Sequence, residues 1–488
     1  MILKTTAGHH GRRLIARLGF VAALAVTAAG CILKADLPDP ALDVPQGYRF
    51  AARGEAAEAA PPALDWWRAF RSPELTALME AAQTANLDIA AATARIVQAD
   101  AQARLAGAAL LPTLNGTAQD TRSKSSGASS SGLTNIGRNV TTYSASLSAS
   151  YEIDFWGKNR DATLAAEETA NANRFDRDVI ALTTYAAVAN AYFLVLSSQD
   201  RIRIAQRNIA SAQRIYDAIK QRLDAGTMSD LDLAQQASVL ATQQAAVPQL
   251  RQTLEQNVNA LATLVSRPPE SVRVAGGSLA RLAVPRVTPG LPSELLTQRP
   301  DIRRQEADLA SATANVGNAR AQFFPSIQLT AQGGYQSAAL AALFTPNAVF
   351  YSIAASATQP IFDGGRNLAN FDYQKARQDE LLQTYRKTVV SAFADVDNAL
   401  IAIKQTSERL RLQTAAEAAS RRAFDLSEQR LRAGTIDIVT LLNTQLTLFQ
   451  AEDTLAQAQL ARLQAIVSLY QALGGGWLPK MEGPVDAL

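Results

Sequence analysis

The chain offers chemistry few side chains to work with. Its 488 residues include two histidines, His9 and His10, and one cysteine, Cys31. Both histidines lie among the first thirty residues, with Lys4, Arg12, Arg13 and Arg17 ahead of the apolar run LGFVAALAV. That layout is an export signal, removed on maturation, and the run is too short to span a bilayer. The mature chain then has no imidazole, and its single thiol follows the small residues TAAG directly. Zinc sites of His and Cys, Ser-His-Asp and Cys-His nucleophiles, and haem ligation by histidine are excluded in one step. GGRN and LGGGW lack the lysine and the strand–helix setting of a phosphate loop. Glu167 and Glu168 fall in a helical stretch as solvated neighbours. The chain is therefore expected to be no enzyme and to hold no cofactor and no metal. Removal of the four basic residues takes the formal charge from +3 to −1, and no nucleic-acid partner is expected.

The residues left with a chemical role are Cys31 and a few acids. A lone cysteine at a signal junction resembles a bacterial lipoprotein, whose thiol is lipidated and whose cysteine becomes the new N-terminus. Ala28 stands where that pattern usually has leucine. Ordinary cleavage after Ala29 or Gly30, leaving an exposed thiol, is the alternative. Ile32 follows, not the aspartate that retains many lipoproteins at the inner membrane, so the resemblance implies the outer membrane. The acids Asp230, Asp232 and Asp437 follow two nearly identical heptads, QRLDAGT from Gln221 and QRLRAGT from Gln429, 208 positions apart.

Long helices must position those heptads. No proline interrupts 157–247 or 361–478, and the composition is rich in Ala, Gln, Arg, Leu and Glu. A helix from Lys158 to the first AGT would run roughly 100 Å at 1.5 Å per residue. Rods of that length with scattered apolar positions read as a two-sided coiled-coil wall. Gly226 and Gly434 lie just past the periodic segments, where glycine takes the left-handed conformation cheaply. Both heptads are then tips of helical hairpins, expected to point away from the strands, and Asp230 and Asp437 suit helix N-caps as well as a functional role. Earlier in the chain, Ser72 and Pro73 open a helix that can continue to Pro112.

Between the helices the period changes to two. Tyr143, Ala145, Leu147, Ala149, Tyr151 and Ile153 alternate with Thr142, Ser144, Ser146, Ser148, Ser150 and Glu152. Ile327, Leu329, Ala331 and Tyr335, and then Val349, Tyr351, Ile353, Ala355 and Ala357, repeat the alternation. Four strands of about ten residues have the length that crosses a bilayer at a tilt. Four cannot close a barrel, and an open edge cannot remain in hydrocarbon. Pooling by three copies gives twelve. The pattern equally describes a small soluble sheet packed on helices. Phe155-Trp156 and Phe323-Phe324, at strand ends, suit an interfacial girdle or a helix–strand junction.

The stretch LPSELLTQRPDIRRQEADLASATANVGNARAQFFPSIQLTAQGGY (Leu291 to Tyr335), QPIFDGGRN (Gln359 to Asn367), DWWRAFRSPEL and the two AGT heptads together resemble outer-membrane efflux proteins of the TolC type. The nearer likeness is to the NodT-like lipoprotein branch that serves RND pumps. The resemblance runs from about Trp66 to Gly475. It implies a mainly α fold with transmembrane β: a trimeric twelve-stranded β-barrel, four strands per chain, continuous with a long α-helical periplasmic barrel. It implies a homotrimer in outer-membrane lipid, a periplasmic adaptor docked at the tips and an inner-membrane RND pump. The duct would conduct drugs or other small toxic compounds passively. Ala225, Gly226, Thr227, Ala433, Gly434 and Thr435 match adaptor-contacting tips. Leu431, Arg432, Val439, Thr440 and Asn443 fall at the periplasmic gate, with Asp230 and Asp232 nearby. Relatives often place acids at the last two gate positions, where Thr440 and Asn443 are neutral. A threefold carboxylate ring would repel itself and attract cations.

The expected organisation is a signal peptide at 1–30, a lipidated N-terminal arm at 31–62 and a first helix–hairpin–helix repeat at 63–276, with strands near 112–121 and 141–154. An equatorial linker at 277–298, a second repeat at 299–475 with strands near 325–336 and 348–362, and a tail at 476–488 complete it. An outer-membrane tunnel for protein secretion, which would share fold and tips, and a structural periplasmic coiled-coil lipoprotein are the alternatives.

Overall fold

A computed structural model describes residues 36–50, 62–124 and 139–477. Cys31, the signal segment, part of the arm, the loop around 125–138 and the tail from 478 lie outside the described residues. The helices are α1 (Pro73–Ala85), α2 (Leu87–Gly107), α3 (Lys158–Asp224), α4 (Asp230–Leu264), α5 (Pro292–Gln298), α6 (Pro300–Ala321), α7 (Arg366–Arg432) and α8 (Ile438–Ala472). The strands are β1 (Thr113–Lys124), β2 (Asn139–Ile153), β3 (Ser326–Ser337) and β4 (Val349–Thr358). Strand β4 stops short of 362 because Pro360 has no amide to donate to a ladder.

The helix expected from Ser72 to Pro112 is two helices. Ser72 caps α1 by accepting from the Leu75 amide at 3.2 Å, and Pro73 opens it. Asn86 then breaks the run: its backbone is extended, and its Oδ1 accepts from the amides of Asp88 and Ile89, both at 3.0 Å. A side chain that caps its own downstream amides competes with helix continuation. Its Nδ2 donates to the Leu264 carbonyl at 2.7 Å, pinning the break to the end of α4.

Two compact units draw on both sequence repeats. The first contains residues 97–171 and 306–384, with the four strands in the order β1-β2-β3-β4, each neighbouring pair antiparallel. Helices α3 and α6 meet there through small side chains, with Ala165, Ala307, Ala312 and Ala319 buried. Ser311 Oγ donates to the Ala165 carbonyl at 2.8 Å, and Gln378 Nε2 reaches Thr313 Oγ1 at 2.9 Å. Small residues let backbones approach and leave room for such bonds.

The second unit contains residues 41–96, 172–305 and 385 onward. One of its cores gathers Trp66, Trp67, Phe70, Leu75, Met79, Tyr192, Phe193 and Tyr470, with Trp66 stacked on Tyr470 at 4.8 Å. Tyr192 meets Ser72 Oγ at 3.0 Å and Glu74 at 3.1 Å, and burial pushes its phenol up to about 12. A second core, around Leu295, Ile302, Val389, Val396 and Leu469, takes in Tyr48 from the irregular stretch 36–50. The RPD of the quoted motif sits at its edge. Arg299 is largely but not fully buried and reaches Asp301, Asp395 and the Ala472 carbonyl at 2.6–3.1 Å. One guanidinium thereby ties the starts of α6 and the end of α8 to the middle of α7.

Candidate functional sites: the sheet and the hairpin tips

Register decides what the strands can face. Leu147 lies opposite Gly116 and Gly333, Ala149 opposite Leu114 and Ala331, Tyr151 opposite Leu329, and Leu329 opposite Ala355. Because side chains alternate with period two, every apolar set falls on one face of the sheet. Ser, Thr and Gln make up most of the other, with Val140, Glu152 and Phe350 among them, and there Gln328 Nε2 donates to Ser150 Oγ at 2.8 Å. Leu114, Leu147, Tyr351 and Ile353 are 59–81% exposed, so apart from Phe344 against Tyr335 the described residues leave this face bare. From Ile153 to Tyr143 it runs eleven positions, about 25 Å tall at 3.3 Å per residue and the usual barrel tilt. On β1 the same face turns charged at Asp120, Arg122 and Lys124, beside Tyr143. Strands β1 and β4 are unpaired on their outer edges among the described residues.

The aromatic doublets divide their work. Trp156 stacks on Phe324 at 4.7 Å and its Nε1 donates to the Pro325 carbonyl at 2.8 Å, which is junction packing. Phe155 and Phe323 stay exposed, with Ile361 and Phe362 about 90% exposed in the turn after β4. Each doublet thus supplies one ring to the junction and one to the surface at the sheet's end. The turns into α3 and α7 repeat a device: Asp154 accepts from the Asn159 and Arg160 amides, and Asp363 from those of Gly365 and Asn367.

The two AGT turns are built alike. Gly226 and Gly434 have φ of +73° and +70°, the left-handed region glycine favours. The Thr227 amide donates to the Arg222 carbonyl at 2.9 Å, and the Thr435 amide to the Arg430 carbonyl at 2.9 Å. Each threonine hydroxyl donates to that same carbonyl, at 3.0 and 3.1 Å. The AGT wording therefore closes the helix with two bonds from one residue. Ala225, Gly226, Thr227, Ala433, Gly434 and Thr435 are all exposed.

The acids after the turns are mostly occupied locally. Asp437 is the N-cap of α8, accepting from the Thr440 amide at 2.8 Å and the Thr440 hydroxyl at 2.6 Å. That hydroxyl, then the amide, hold its carboxyl below the usual carboxylate range. Asp232 completes a capping box with Ser229. Asp230 is the first residue of α4 and is exposed. Among the described residues no three His, Cys, Asp or Glu side chains converge.

Val439, Thr440 and Asn443 share the exposed face at the start of α8, continued by Leu446. Leu431 does not share that face: it is buried with Ile219, Ile438 and Leu441. Arg432 is exposed and paired with Glu428 four residues back. Sequence reasoning passed over Arg222, whose guanidinium donates to the carbonyls of Leu431 and Arg432, both at 3.0 Å. It closes the C-terminus of α7 from the neighbouring hairpin, where the helix dipole favours a cation. Its one signal in the sequence is that Arg recurs in both heptads.

The profile of the family described as outer membrane efflux protein matches residues 78–267 and 291–475. The pyoverdine export outer membrane protein OpmQ of Pseudomonas aeruginosa is 41% identical over 448 residues, covering 91% of this chain and 94% of that protein. The probable efflux pump outer membrane protein TtgC of Pseudomonas putida is 32% identical, covering 93% and 95%. The solved outer-membrane channel OprN superposes with a TM-score of 0.86 at 29% identity, covering 92% of this chain and all of that one. The fold class is that of these channels, mainly α with transmembrane β, four strands per chain in a trimeric barrel of twelve. The protein is an outer-membrane efflux channel with a periplasmic helical tunnel. The chain belongs to the outer membrane efflux protein family.

Proposed function

We propose that the protein is the outer-membrane duct of a tripartite efflux pump, assembled as a homotrimer, anchored through an acylated Cys31 and gated at its periplasmic tips. The observation that carries this reading is the single apolar face running across all four strands while, among the described residues, both sheet edges stay open. Such a sheet is costly in water and in lipid alike until its edges are paired. The exposed AGT turns are the docking points for a periplasmic adaptor, and an inner-membrane RND pump supplies the energy. Val439, Thr440 and Asn443 line the gate with neutral side chains, and Asp230 is the nearby acid left to solvent.

The cargo is a small compound expelled by the pump. Drugs and other toxic molecules are one class, and the 41% identity to a pyoverdine exporter supports testing pyoverdine as another. Native mass spectrometry of protein extracted from membranes in detergent tests the assembly. A trimer of chains that begin at triacylated Cys31 is expected. A water-soluble, unmodified monomer would overturn the reading.

A further inference from the structure

Within one chain, Arg222 joins the first hairpin to the second. Its guanidinium reaches the Leu431 and Arg432 carbonyls across a contact lined by Ala218, Ile219 and Leu441. The residue 208 positions on from Arg222 is Arg430, in the same place of the second heptad. Arg430 is exposed, and its side chain has no hydrogen-bond partner among the described residues. Three copies closed into a ring place first and second hairpins in alternation. Each second hairpin then flanks two first hairpins, one of its own chain and one of the next.

We propose that Arg430 makes between subunits the contact that Arg222 makes within one: its guanidinium donates to the Leu223 and Asp224 carbonyls at the end of α3 in a second copy of this chain. The proposal rests on the trimeric reading above. Three differences between the repeats point to that occupant. Leu431 is 8% exposed under the Arg222 contact, whereas its counterpart Leu223 is only half-buried. Leu441 is fully buried and its counterpart Leu233 is not. Leu426, the counterpart of Ala218, is 48% exposed beside Arg430, an apolar side chain on an uncovered face.

The last residue of α3 offers this pairing a local carboxylate. Arg222 approaches a helix end that carries Arg432, whose charge is held by Glu428. Arg430 would approach an end that carries Asp224. A carboxylate beside the capped carbonyls strengthens a cation's hold there. Lys220 stands one turn back from Asp224, where the second hairpin has Glu428, so the two ends carry the same net charge and Asp224 supplies a local partner only.

A photo-crosslinking phenylalanine analogue at Leu426 in the full-length membrane protein tests the joint, with native mass spectrometry reporting the trimer in parallel. The expected product is a covalent pair of chains joined to the peptide spanning Leu223 to Leu233. Arg430→Glu should lower its yield about fivefold, the equivalent of losing one hydrogen-bonded contact, and Arg430→Lys should retain part of it. An intact trimer whose crosslinks fall inside one chain or elsewhere on the neighbour would overturn this joint alone. Equal yields for wild type and Arg430→Glu would remove Arg430 from it. Absence of any trimer would overturn the joint and the assembly together.

Discussion

The carboxylate of Asp161 on α3 rests against the backbone of Gly317 on α6: a Cβ at Gly317 would stand 2.3 Å from Asp161 Oδ2. Gly317 is buried, and an added methyl has nowhere to go unless that carboxylate moves. Gly317→Ala should destabilise the protein by about 1–3 kcal/mol, the usual range for overpacking. Asp161→Ala in the same chain should recover most of the loss. Thermal unfolding of the four proteins in a double-mutant cycle checks this; two additive losses would show that the contact does not couple them.

Asp161 also sets a pH dependence. Burial, and then the charge of Asp154, push its carboxyl up to about 6, against the opposing pull of Arg160 and Arg320. The folded state therefore holds a proton that the unfolded chain, titrating near 3.8, has already lost. Its contribution to stability is fullest below the unfolded value and falls as pH rises through about 6. Asp161→Asn should raise the melting temperature more at pH 7.5 than at pH 4.5. An equal gain at both would place the cause elsewhere.

Arg299 is a largely buried cation of the second unit, its side chain 11% exposed, with Asp301 and Asp395 as partners. Arg299→Met removes every bond and leaves two carboxylates close together. The expected cost is about 3 kcal/mol, at the low end for a broken buried pair because Asp395 is half exposed. Arg299→Lys should recover only a minority of this, since an ammonium cannot reproduce the planar fork. Melting temperatures, or resistance of the folded chain to protease, report the difference.

Gly226 and Gly434 have open space where a Cβ would be. Alanine there should cost about 1 kcal/mol each, from left-handed backbone alone. Trimer yield should be unchanged while adaptor capture and drug resistance fall. Lost trimer would mean the turns serve folding and not docking.

Asn443→Asp should place three carboxylates at the proposed gate and raise cation selectivity and single-channel conductance together. Identical bilayer recordings for wild type and variant would remove Asn443 from the constriction.

Much of the fold was legible because its periods are clean. Alternation in β2 and β4 foretold the common apolar face, and Gly226 and Gly434 foretold the turns. Asn86 was harder: asparagine inside a helical pattern is usually tolerated, and only the downstream amides show that it caps instead. Arg299 looked like one of several arginines in RPDIRR, since burial arises from α7 and α8, far away in sequence. For the tips, the two heptads spell their turns identically, yet no local pattern tells that Arg222 finds its acceptors within the chain. Asp232 and Asp437 show the converse limit, because an acid after a turn reads the same whether it caps a helix or faces a pore.

The hydroxyl- and amide-rich face of the sheet has an electrical consequence. Glu152 is its one ionised side chain among the described residues, and Lys158 neutralises it at 2.6 Å. A barrel wall of reorientable dipoles without fixed charge captures no counterions and holds no solute long. Its share of the current should not rectify, and its reversal potential should sit near that of free diffusion. Substitutions in the helical part should therefore move the ionic preference of the channel more than substitutions on this face.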